Sequence, residues 1–122
     1  MNNSRWISVV LLSGIGWLSN AGAHHSAAAF DRSNPVAMTG TVKKFLWTNP
    51  HAWVHLMVPD GKGGEDEYVL EGPAPVGLAR NGWTGRTLQA GMKIRCVVAP
   101  RRDGTHGGEF LAVFKDGKQI KF

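Results

Sequence analysis

From Val36 to the C-terminus, apolar and polar residues alternate mostly with the period of two that marks half-buried strands. In "VAMTGTVKKFLW", Val36, Met38, Gly40 and Val42 share one face. Lys43 and Lys44 then break the alternation, and Phe45 and Trp47 resume it one step out of phase. Such a slip predicts a β-bulge, and Gly40 predicts a bend in the same long strand. After the turn "TNP", the segment "HAWVHLMV" alternates without error. Ala52, Val54, Leu56 and Val58 take one face, and His51, Trp53, His55 and Met57 take the other. The glycine-rich "PDGKGGED" predicts a hairpin loop. "EYVLEG" predicts a third strand, with Tyr68 and Leu70 on a common face.

Residues 73–83, "PAPVGLARNGW", change the period. Proline suits a first helical turn, Val76 with Ala79 or Ala79 with Trp83 has helical spacing, and Gly82 can terminate the helix. Strand periodicity returns from Met92 to Ala99 and again in "EFLAVF", separated by the polar loop "PRRDGTHGG". "KDGKQIKF" closes the chain with a tight Asp-Gly turn and a short terminal strand. Three strands, a short helix and two or three further strands predict an all-β domain. The expected architecture is a five- to six-stranded OB-like Greek-key barrel with its helix between strands three and four. A six-stranded sandwich is the alternative.

The segment before Val36 follows other rules. Arg5, the apolar run "WISVVLLSGIGWLS" and Ala21-Gly22-Ala23 have the three parts of a secretory signal, with cleavage expected after Ala23. The apolar run is shorter than the ~20 residues that a spanning helix needs, and it carries two glycines. The expected organisation is therefore a signal peptide over residues 1–23, an arm over 24–35 that is mobile or laid on the surface, and the barrel over 36–122. Export implies a periplasmic location and no membrane span once the signal is removed. Cleavage after Ala21 is the other possibility.

Charge and cysteine usage narrow the classes. The chain has 14 basic and 9 acidic residues, for a formal net charge of +5. The excess is scattered over Lys43, Lys44, Arg80, Arg86, Arg101, Arg102 and the C-terminal lysines, which argues for a solvated surface rather than a nucleic-acid partner. Cys96 is the single cysteine, so no internal disulfide forms. Its alternation with Met92, Ile94 and Val98 makes it filling on an apolar strand face. No G-x-S-x-G, H-E-x-x-H or phosphate loop occurs, and no acidic pair suggests acid-base catalysis. A non-enzymatic protein is expected.

Six strings in order, "AHHS", Phe30-Asp31, Gly40-Thr41-Val42, "WTNPHAW", Leu70-Glu71-Gly72 and Gly82-Trp83, resemble the DUF6152 family of small exported bacterial proteins. The resemblance runs from His24 to about Val113, with "WTNPHAW" its most specific segment and a departure at Ala27. It implies a periplasmic OB-like barrel and supplies no activity.

The candidate chemistry is metal binding. Cleavage after Ala23 makes His24 a free amino terminus. An α-amine titrates near ~7.7, so it frees readily for binding, and with the His24 imidazole it closes a chelate ring. His25 adds a further nitrogen. Nitrogen-rich sets suit Cu(II), and cleavage after Ala21 also leaves an amine, amides and imidazole that suit it. His51, at the start of a strand, is the expected barrel contribution, if the arm folds back over that end. His106 is a fourth candidate, more simply an exposed loop histidine. Trp53, His55 and Met57 form a possible ligand face, because imidazole and thioether suit Cu(I). On one strand His51 and His55 lie ~13 Å apart at ~3.3 Å per residue, so they cannot share an ion unaided. The simpler reading of this face is an outer sheet surface on which Trp53 packs. Asp31 is expected to cap a turn and Glu71 to sit at the helix N-terminus. The other functional class is an interaction module: Trp47, Trp53 and Trp83 are many aromatics for so small a domain, and an exposed aromatic face would serve an envelope protein partner.

Overall fold

The computed structural model describes residues 28–122. Six strands form one sheet: β1 (Val36–Leu46), β2 (Trp53–Pro59), β3 (Glu65–Glu71), β4 (Lys93–Pro100), β5 (Gly107–Lys115) and β6 (Lys118–Ile120). Their order is β3-β2-β1-β4-β5-β6, and an extra parallel pairing of β3 with β5 closes five of them into a barrel. A short helix, α1 (Pro75–Ala79), lies between β3 and β4. This is the OB-like arrangement that the strand order predicts, with β6 as an additional strand beside β5.

β1 is long because it serves two neighbours. Its first half pairs with β4 from Val36↔Val98 to Thr41↔Lys93, and its second half pairs with β2 as far as Leu46↔Trp53. Between them the register slips at Lys43, which has no opposite number on β2. The broken alternation in the sequence is therefore a bulge. Gly40 is where the two backbones crowd: a Cβ there would strike the Met57 carbonyl and the Leu56 side chain. Only glycine fits so close an approach.

The inward face collects Val42, Ala52, Val54, Leu56, Leu70, Ile94, Cys96, Val98, Phe110 and Val113, all at most 2 % exposed. A second register slip, between Val97 and Val98, leaves Leu111 as the extra residue of β5. It sits 37 % exposed, while Phe110 and Val113 on either side point inward.

The connection after β3 seals the barrel. Pro75 occupies the first turn of α1, and the turn that follows Ala79 closes at Gly82, whose φ is +84°. There the Gly82 amide donates to Ala79 O and the Trp83 amide donates to Leu78 O, the paired bonds of a Schellman stop. That stop carries Leu78 and Trp83 into the core together. Trp83 stacks with Phe110, meets Phe45 and Phe122 edge-on, and donates its indole N–H to Lys121 O at 2.8 Å. Pro75 and Leu78 are the buried residues of α1, whereas Val76 is 61 % exposed. The inward pair of this short helix is thus Pro75 and Leu78, not the Val76–Ala79 pair that simple spacing suggests. The turn Asp116-Gly117 has φ of 51° and 74°, as a two-residue hairpin into β6 requires.

The described part of the arm is laid down against the barrel. Phe30 bridges to Arg101 and is 5 % exposed. The Asp31 amide donates to Pro100 O, and the Arg102 amide donates to Ala29 O. Asp31 closes a turn by accepting from the Ser33 amide and the Asn34 side chain, as its place before "SNP" suggests.

Candidate functional site

His51 sits where the chain enters β2, just after the cis Asn49–Pro50 peptide. Thr48 holds this turn by donating its hydroxyl to His51 O at 2.9 Å. The imidazole is fixed through Nδ1. Nδ1 lies 3.0 Å from Gly72 O. A carbonyl only accepts, so Nδ1 carries the proton. Nε2 lies 3.2 Å from a Glu71 carboxylate oxygen. With Nδ1 donating to backbone, Nε2 is the nitrogen left for a proton or a metal, which is how metal-ligating histidines are usually oriented. The His51 side chain is 39 % exposed and that of Glu71 13 %, so the pair reaches solvent from the imidazole side.

Gly72 connects this site to the core. Its amide donates to Ala52 O at 2.8 Å, its carbonyl holds His51, and its Cα rests against the Phe110 ring. Glu71 is consequently a partner of His51 on the outer surface. It does not cap α1: the N-cap residue is Ala74, no side chain caps the helix, and no acid lies in its first turn. Residues Gly72 to Ala74 carry the chain away from β3 before the helix begins, so the acid faces β2 instead.

On β3 and β5, Glu71 is opposite Glu109 in a parallel register. Glu109 is taken by Arg32, which forms two bonds of 2.7 Å to its two oxygens. The guanidinium charge is held above its usual pKa by that pairing.

His55 and Met57 lie on the same outer face of β2, and one nitrogen of His55 is taken by a carboxylate of β3. The His55 Nδ1 donates to Glu67 at 2.6 Å, and Lys43, from the bulge, reaches the other Glu67 oxygen at 2.5 Å. Lys43 first and His55 second draw the Glu67 carboxyl down to a pKa of about 2. Glu67 had no signal in the sequence that linked it to His55. Met57↔Glu67 and His55↔Val69 are the direct cross-strand partners, so the contact is diagonal. Trp53, between Leu46 and Glu71 in register, is half-buried. Among the described residues, the exposed large apolar side chains are Val36, Val76 and Leu111, and no tryptophan is among them.

His106 stacks on Tyr68, with ring centroids 4.8 Å apart and its Nδ1 3.8 Å from Asp66. It lies in the β4–β5 loop, whose Arg101 and Arg102 pair with Phe30 and Ala29 of the arm. His24 and His25 lie outside the described residues. Among the described residues, no group of three His, Cys, Asp or Glu side chains is placed to hold a metal ion, and no hydrogen bond or ion pair joins the arm to His51. Cys96 is fully buried, and desolvation pushes its thiol up to about 12. It is core filling, as its alternation predicts.

A family model described as a family of unknown function (DUF6152) matches residues 14–110, most of the chain. The chain belongs to DUF6152. The match takes in the bulged β1, the His51 turn, Glu71, α1, the Schellman stop and β4, and it ends inside β5. No curated protein and no solved structure matches the chain. Among the described residues, no helix of this DUF6152 protein is long and apolar enough to cross a membrane.

Proposed function

We propose that the mature protein is a periplasmic, non-enzymatic binding protein that takes up a metal ion, copper by preference. His24 and His25 at the new amino terminus are the principal ligands, and His51 is the barrel contribution. The terminal amine and the His24 imidazole form a chelate without help from the fold. The observation that carries the barrel half is the fixed tautomer of His51: Nδ1 is committed to Gly72 O at 3.0 Å, and Nε2 is turned outward beside Glu71. Nitrogen and carboxylate donors at the surface of a rigid barrel suit Cu(II), which tops the affinity order for such ligands. The secretory features of the N-terminus support the location.

The test is a Cu(II) titration, followed by visible absorption, of protein purified from the periplasm with its first residue fixed by intact mass. The wild type is expected to bind one equivalent. A His24→Ala, His25→Ala variant is expected to lose at least a hundredfold in affinity, and His51→Ala about tenfold, in line with loss of one ligand. Undiminished binding by the double variant would eliminate the terminal site. Undiminished binding by His51→Ala would remove the barrel from it.

A further inference from the structure

A groove of about 370 Å³ lies on the outer surface over β1, β4, β5 and the β5–β6 turn, on elements that carry no histidine. Thr39, Lys93, Arg95, Phe114 and Asp116 line it. Lys93 and Arg95 project from the same face of β4, since Ile94 and Cys96 between and beyond them are buried. They stand ~7 Å apart at ~3.3 Å per residue. The Arg95 guanidinium lies over the Phe114 ring, 4.9 Å from its centroid. That contact keeps the Arg95 charge beside the ring, on the surface of the groove. Neither cation forms an ion pair among the described residues. Thr39, opposite Arg95 in the β1–β4 register, adds a hydroxyl with no side-chain partner there.

We infer that this groove binds a small organic monocarboxylate, with the carboxylate on Arg95 and Lys93 and the apolar body against Phe114. The charge balance selects the class. Two cations against Asp116 leave one net positive charge, which matches a single carboxylate better than a phosphate dianion. Arginine's planar fork matches a carboxylate in two parallel hydrogen bonds. The volume fits a small-molecule site, in the range of roughly 300–1,000 Å³. The phenyl ring gives the ligand's apolar part a surface that inorganic anions cannot use.

The experiment is amide chemical-shift mapping of the ¹⁵N-labelled full mature chain, with three probes: benzoate, its neutral isostere benzamide, and inorganic phosphate. Benzoate is expected to give saturable shifts clustered on Thr39, Lys93, Arg95, Phe114 and Gly117. Benzamide and phosphate are each expected to bind at least tenfold more weakly. Arg95→Gln and Lys93→Gln are expected to weaken benzoate by about tenfold and threefold while leaving the rest of the spectrum in place. Absence of saturable clustered shifts, equal binding of benzamide, or insensitivity to both substitutions overturns the site. Phosphate binding as tight as benzoate overturns the ligand class.

Discussion

Replacing Gly72 by alanine tests how tightly the outer site is tied to the barrel interior. An added Cβ at Gly72 would overlap three carbons at the far end of the Phe110 ring. That ring is 2 % exposed and is held against both Trp83 and Phe122, so it has no free space to enter. The strain must shift the backbone or the ring, and overpacking of this kind costs about 1–3 kcal/mol. For a domain of this size each kcal/mol moves the melting temperature by roughly 4–8 °C, so a loss of roughly 5–20 °C is expected. Thermal melts followed by circular dichroism measure it. Gly85→Ala is the control, since its Cβ would only touch Trp47 at 3.4 Å and its φ is not positive. It is expected to stay within ~0.5 kcal/mol of the wild type. Phe110→Leu shortens the ring that Gly72→Ala strikes, so the double variant should be less destabilised than the two single losses together. A Gly72→Ala protein that melts within 2 °C or so of wild type, or a strictly additive double variant, would refute the packing argument.

Three further outcomes are expected. Trp83→Phe keeps the aromatic contacts but loses the indole bond to Lys121 O, and should cost about 1–2 kcal/mol in urea denaturation; Trp83→Ala should cost about 3–5 kcal/mol. Cys96, raised to about 12 by burial, should resist a thiol-disulfide probe at pH 8 in the native state and react fully in denaturant. Glu67 is depressed to about 2 in the folded chain against an ordinary value of 4.5, so its contribution to stability is complete above that ordinary value and is lost as pH falls from there through about 2. Urea midpoints measured across that window should therefore fall less steeply for Glu67→Gln than for wild type.

The alternation of "HAWVHLMV" placed Ala52, Val54 and Leu56 inward because a strand buried on one face leaves its period in the sequence. The bulge in β1 was legible for the same reason: Lys43 and Lys44 interrupt a pattern that resumes out of phase. The bulge in β5 left no such trace. "FLAVF", residues 110–114, is apolar throughout, so nothing distinguishes the exposed Leu111 from its buried neighbours. Phe30 falls in an arm expected to be mobile or laid on the surface, and one aromatic in an aperiodic segment has no phase that tells the two apart; its burial goes with the backbone bridge to Arg101, far away in sequence. The partners of the histidines were hidden for a related reason. His51 meets Glu71 and Gly72, and His55 meets Glu67, across strands whose register is set by the whole sheet. Residue chemistry nominated the histidines, but only the fold says which nitrogen each one presents.

The most direct measurement is electron paramagnetic resonance of the Cu(II)-loaded mature protein, prepared with ¹⁵N-labelled histidine and compared with unlabelled protein. The expected result is nitrogen coupling from imidazole that changes with the label, and that diminishes when His51 is replaced by alanine. A signal set by oxygen ligands alone, or one indifferent to both the label and His51, would contradict metal binding through the terminal histidines and the barrel imidazole.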